Sequence, residues 1–165
     1  MTEKTMVDPI AKTPSGTTHQ APGAAFKSFQ GWTVLRQFPT KGGEADVFLA
    51  EKGFEKRVLK LYRYGISPAR EVFERLSAVT ARHSDHLVRL FEFGEDPDSR
   101  CFFEMEAFIP CGTLAEHLET KNCSEPETEL LVKKISEALA ILHAEGILHL
   151  DLKPANILLR NLAPL

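Results

Sequence analysis

"HLDLKPANILL", residues His149–Leu159, decides how this chain is read. Asp151 can accept a proton from a hydroxyl nucleophile. Lys153 can neutralise charge on a transferred group. Asn156 offers an oxygen ligand to a hard cation such as Mg²⁺, and Pro154 stiffens the turn that spaces the three. An acid, a cation and a metal-binding amide so close together suit phosphoryl transfer, a reaction that depends mostly on positioning and charge neutralisation.

Immediately upstream, "SEPETELLVKKISEALAILHAEG" predicts a helix. Ser124 followed by Glu127 is a capping box, Pro126 lies in the first turn, and Gly146 is a natural stop. Leu131, Ile135, Ala138 and Leu142 line one face, and Leu130, Val132, Leu139 and Ile141 widen it. A helix apolar over so much of its circumference expects cover on more than one side.

Further back, "WTVLRQF", "ADVFLAE", "KRVLKLY", "HLVRLFEFG" and "CFFEMEAFI" are short runs rich in Val, Leu and aromatics, separated by turn residues. They predict antiparallel strands. "ISPAREVFERLSAVTAR" predicts a helix with Ser67 as N-cap, Pro68 at its first position and an apolar stripe of Val72, Leu76 and Val79. "GTLAEHLE" is a short helix. Residues 1–25, rich in Thr, Pro, Gly, Ala and Ser, carry too little apolar surface to offset their ordering entropy and are expected to form a disordered leader.

Composition narrows the function. At 165 residues the chain has one-domain length with room for a core. A net charge of -3 gives no basic footprint, which argues against nucleic acid as a partner. Cys101, Cys111 and Cys123 form no metal-ligand spacing and suit reduced cytosolic thiols. The first residues show no signal-peptide pattern, and no apolar run is long enough to span a bilayer. A cytoplasmic protein without a membrane partner is the expectation.

The terminal stretch resembles the catalytic loop of eukaryotic-type (Hanks-type) Ser/Thr protein kinases, H-R-D-L-K-x-x-N, through His149, Asp151, Leu152, Lys153 and Asn156. The resemblance implies an α+β kinase-like fold: a five-stranded antiparallel N-lobe sheet with one helix, a hinge, and the first helices and catalytic loop of the C-lobe. It divides the chain into an ATP-binding N-lobe and hinge at 31–108 and a partial C-lobe at 109–165. It assigns Asp151 as base, Lys153 as phosphate neutraliser and Asn156 as metal ligand. "TKGGEADVFLA" looks like the Gly-rich loop, with Gly42 at its middle glycine, Gly43 beside it and Val47 packing on the adenine. Thr40 and Ala45 stand where outer glycines are usual. "RVLKLY" looks like the strand whose lysine, here Lys60, reaches the α- and β-phosphates. Its implied acidic partner is Glu74 on the following helix, with Glu71 as the second choice. "FFEMEAF" looks like the final strand and hinge, with Met105 gating the back of the adenine pocket and Glu106, Ala107 and Phe108 as hinge residues whose backbone meets the adenine edge.

The implied function is ATP- and Mg²⁺-dependent transfer of a γ-phosphate to a protein hydroxyl. The alternative is a pseudokinase-like nucleotide-binding or interaction module without catalysis, favoured by the altered Gly-rich loop. Lys153 argues against a small-molecule phosphotransferase. Leu150 stands where the family usually has Arg, so activation through pairing with a phosphorylated activation loop is not expected. The family places D-F-G and the activation segment downstream of "NILL". Without them the 165-residue chain alone is expected to show no meaningful turnover, since a general base supplies only about 10²–10⁴ in rate. The broad apolar face of the 125–145 helix is expected to be covered by further chain, by a partner or by a copy of itself.

Overall fold

A computed structural model describes residues 27–39 and 43–160. The expected leader and Gly42 lie outside these. Six antiparallel strands form one sheet: β1 (Ser28–Phe29), β2 (Trp32–Phe38), β3 (Ala45–Lys52), β4 (Glu55–Tyr62), β5 (Leu90–Glu95) and β6 (Phe102–Ala107), in the order β1-β2-β3-β4-β6-β5. Five of these are the expected strands. The sixth, β1, is a two-residue strand pairing Ser28 with Thr33 and Phe29 with Trp32. It lies just before the first β-rich run, where two residues are too few to show any periodicity.

Strand alternation divides the sheet into two faces. One side buries Phe48, Ala50, Leu59, Leu61, Phe103 and Met105, with Phe29 and Trp32 closing over them from β1 and β2. Arg57 belongs to this side of β4. Its guanidinium stacks 4.7 Å from the Trp32 ring and 4.0 Å from Phe91, and pairs with Glu55 and Glu92.

The other face carries helix α1 (Arg70–Arg82). Phe73 docks it, with ring centroids 5.0 Å from Phe102 and 5.6 Å from Phe93. The helix begins later than the sequence suggested. Ala69, not Ser67, is its N-cap, in extended backbone and without a side-chain cap bond. The buried positions are Phe73, Val79 and Thr80, so the inward stripe starts one residue after Val72. The size of Phe73 sets this phase.

Helix α2 (Leu114–Thr120) carries a complete capping box, with the Glu116 carboxylate accepting from the Thr113 N–H and the Thr113 hydroxyl accepting from the Glu116 N–H. The long helix α3 (Glu125–Ala144) starts at the expected Ser124–Glu127 box. It ends in a Schellman turn: Gly146, at φ 68°, donates to His143 O and Ile147 donates to Leu142 O. Leu142 and Ile147 then pack with Val79 of α1. The Arg82–Glu145 ion pair and a hydrogen bond of 3.1 Å between His86 and Glu137 reinforce that junction.

Candidate active site

Two groups of functional side chains are built, one on the sheet and one on the terminal loop. On the sheet, Val47 of β3, Lys60 of β4 and Glu104 of β6 are mutual register partners. They form one row across three strands, on the face that carries α1. In the next row Val58 opposes Glu106. The Lys60 ammonium lies 3.0 Å from Glu106 and 3.4 Å from Glu104. The Tyr62 hydroxyl donates to Glu104 at 2.9 Å.

Burial alone would lower the pKa of Lys60, but Glu106 and then Glu104 outweigh it and hold it above the ordinary lysine value. Burial raises Tyr62, and the carboxylate of Glu104 adds to this. Glu104, only 4% exposed, is pushed up by burial against the opposing pull of Lys60.

This arrangement differs from the sequence expectation in two places. Glu74 does not meet Lys60; it pairs with Arg70 four residues earlier on the exposed side of α1. Once Phe73 takes the slot against the sheet, the helical period turns both Glu71 and Glu74 outward. Met105, expected to gate the back of the adenine pocket, lies on the face of β6 opposite the lysine. It is 1% exposed in the core there, next to its register partner Leu59. The residue on the lysine side is Glu106, expected to matter only through its backbone. Glu104 and Tyr62 were not anticipated at all. Period-two alternation of "FFEMEAF" held the signal, since it places both glutamates on one face and Met105 on the other.

Phe108 is half-buried just past the end of β6. Gly43 is exposed in a bend before β3, where an added Cβ would meet only the Arg63 guanidinium at 3.9 Å. That is ordinary contact distance, so the backbone there does not require glycine.

The terminal loop is positioned by α2. Leu114 N donates to Ile157 O, Leu159 N donates to Gly112 O, and Thr113 and Leu158 form a β-bridge. Pro154–Asn156 is a single 3₁₀ turn. The Asp151 carboxylate accepts from the Lys153 ammonium at 2.7 Å and from Asn156 Nδ2 at 2.9 Å, and the same Nδ2 lies 2.8 Å from Asp151 O. These bonds, Lys153 first and Asn156 second, hold the Asp151 carboxyl below the usual aspartate range. Leu150 precedes it at φ 58°, in a tight turn closed by Asp151 N donating to His149 O at 2.8 Å. Positive φ at a leucine is strained backbone. His149 Nδ1 is buried without a hydrogen-bond partner among the described residues.

Asn156 spends its amide N–H groups on Asp151, which leaves its carbonyl oxygen to offer a hard cation. With one carboxylate beside it, this donor set fits the Mg²⁺ habit of taking one or two protein oxygens and completing its shell with substrate phosphates. Among the described residues no group of three His, Cys, Asp or Glu side chains forms a self-sufficient metal site. A separate cavity of about 70 Å³, lined by Leu87, Ile109, Leu158 and Arg160 among others, is too small for a nucleotide.

A lysine row on an antiparallel sheet, one helix on that face and an Asp-Lys-Asn loop that follows a long helix are the arrangement of a protein kinase fold. The chain belongs to the protein kinase family: the family model described as "Protein kinase domain" matches residues 45–163. Its relatives are Ser/Thr kinases. It is 30% identical over 148 residues to serine/threonine-protein kinase PknF of Mycobacterium tuberculosis, covering 85% of this chain and 31% of that protein. It is 30% identical over 125 residues to serine/threonine-protein kinase PrkC of Bacillus subtilis, covering 72% of this chain and 19% of that protein. The chain thus spans a third or less of the length of these relatives. The crystal structure of Rad53 1-466 in complex with AMP-PNP shares the fold, with a TM-score of 0.67, 22% identity, and coverage of 80% of this chain and 35% of that one.

Proposed function

We propose that this chain supplies the nucleotide-binding and catalytic-loop portion of a Ser/Thr protein kinase that transfers the γ-phosphate of ATP to a protein hydroxyl. Residues 31–108 form the ATP-binding lobe and hinge, and 109–165 begin the second lobe. The observation that carries this is the Asp151 carboxylate, kept ionised and oriented by Lys153 and Asn156 in a loop pinned to α2. In this role Asp151 accepts the hydroxyl proton, Lys153 offsets charge on the moving phosphoryl group, and Lys60 anchors the α- and β-phosphates. Val47, beside Lys60 in the register, packs on the base. Gly42 and Gly43 cover the phosphates, and Phe108 lies along the adenine edge. Asn156 is the residue that would hold Mg²⁺, whose chemistry there is neutralisation of phosphate charge.

The three unpaired cysteines support a reducing, cytoplasmic setting. Among the described residues no helix is long and apolar enough to cross a membrane. Val132 on α3 is 57% exposed and only Leu142 of that helix is buried. This supports the reading that further chain, a partner or a second copy covers its apolar face.

One observation favours the second reading, a nucleotide-binding or interaction module without catalysis. Two carboxylates already engage Lys60, and an incoming polyphosphate has to share that ammonium with them. Isothermal titration with ATP tests the nucleotide site on which the kinase reading rests. Kinase function predicts Mg²⁺-dependent binding that Lys60→Ala weakens by about tenfold or more, in line with a lost charge-assisted contact. Binding that ignores both Mg²⁺ and Lys60 would sink it.

A further inference from the structure

The family resemblance assigns the anionic partner of the phosphate-anchoring lysine to the helix on the sheet, so that the helix must sit correctly for the lysine to be held. Here the geometry is different. Both carboxylates that meet Lys60 come from the strand hydrogen-bonded to its own. Backbone register places Glu104 directly opposite Lys60 and Glu106 opposite Val58, two residues along on the same face. The Tyr62 hydroxyl holds Glu104 from the next position of β4. None of these three groups belongs to α1.

Helix α1 is also fixed in a phase that withholds its acids. Phe73 is wedged between Phe93 and Phe102, and Val79 is fully buried with Leu142 and Ile147. Rotating Glu74 toward Lys60 would withdraw both anchors and break the Arg70–Glu74 pair. A lysine ammonium has three donors. One is given to Glu106 at 3.0 Å, Glu104 lies 3.4 Å away as an ion-pair partner, and the side chain is still 33% exposed, so donor capacity remains for a phosphate oxygen.

We propose that Glu106, backed by Glu104, is the positioning residue for Lys60, so that the orientation of the lysine is set within the sheet and does not depend on α1. The role of Lys60 toward phosphate rests on the kinase reading; its positioning does not.

The test is competitive acylation of the intact 165-residue chain with acetic anhydride across pH, without nucleotide. Only the neutral amine reacts, and peptide mass spectrometry reads Lys60 against exposed Lys56. In the native chain Lys60 reaches half-reactivity at higher pH than Lys56; a Lys60 profile at or below that of Lys56 overturns the proposal without any variant. Glu106→Gln, nearly isosteric, lowers the half-reactivity pH of Lys60 by about one unit or more, and Glu106→Asp restores part of it. Glu74→Gln leaves the profile where it was. No shift in Glu106→Gln folded by circular dichroism, or an equal shift in Glu74→Gln, overturns the assignment. Mg·ATP is then added to the native chain. Failure to protect Lys60, with the Glu106-dependent profile intact, removes the nucleotide reading and upholds the positioning.

Discussion

Asp151 is exposed, yet its carboxyl titrates below the ordinary aspartate range because Lys153 and Asn156 bond the ionised form. The sign follows from linkage. A depressed carboxyl pKa contributes stability above the unfolded value, and that contribution is lost as pH falls through the folded one. The loop therefore keeps its geometry through neutral pH and loosens only in acid, below about pH 4. Lys153→Ala is expected to return the Asp151 titration toward the usual aspartate value of about 3.9, read by carboxyl-carbon NMR shifts. An unchanged titration would mean that Asn156 alone sets it. These residues were legible in the sequence because they are neighbours along the chain, where spacing and chemistry suffice. The partner of Lys60 was not legible in the same way. It depended on how Phe73 phases a helix and on which glutamate the β4–β6 register sets opposite, and both are tertiary facts. The strain at Leu150 was also hidden, because nothing about a leucine announces positive φ.

Among the elements, α3 is the one whose ends follow most directly from sequence. Its capping box and Gly146 stop are local hydrogen-bond arrangements written in a few residues. The N-terminal box pulls the Glu127 carboxyl down to about 2, with the Ser124 N–H the main cause and Lys121 the next. By the same linkage the box is intact above the ordinary glutamate range and comes apart as pH falls toward 2. Ser124→Ala is expected to cost ~1 kcal/mol in denaturant unfolding, with the loss shrinking in acid as Glu127 protonates. A cost independent of pH would show that the two halves of the box act separately. Helix α1 was the less legible element. Its Ser-Pro start looked like a cap, but the chain stays extended through Ala69, and the helix is held by aromatic packing instead of by its first turn.

Across the whole molecule, Arg160 bonds Asp85 and Ser84, and a second joint between α1 and the helices that follow lies where Val79 meets the end of α3. Val79, Leu142 and Ile147 make the apolar contact, and His86–Glu137 and Arg82–Glu145 flank it. Leu142→Ala is expected to cost about 2–5 kcal/mol and to separate the two parts, so that fluorescence of Trp32 in the sheet and the helical circular dichroism signal no longer melt together. Coincident melting with a small loss would place the joint elsewhere. The five long strands could be read from residue pattern, but the order that brings β6 against β4 could not, since long-range pairing leaves no local mark. That placement has a consequence for the fidelity of folding. Strand β4 is enclosed by β3 and β6, so a slip of one residue would move Leu59 to the face that carries α1 and drive the ammonium of Lys60 among Phe48, Phe103 and Met105. The hydrophobic interior thus acts as a proofreader for the charge on its far side.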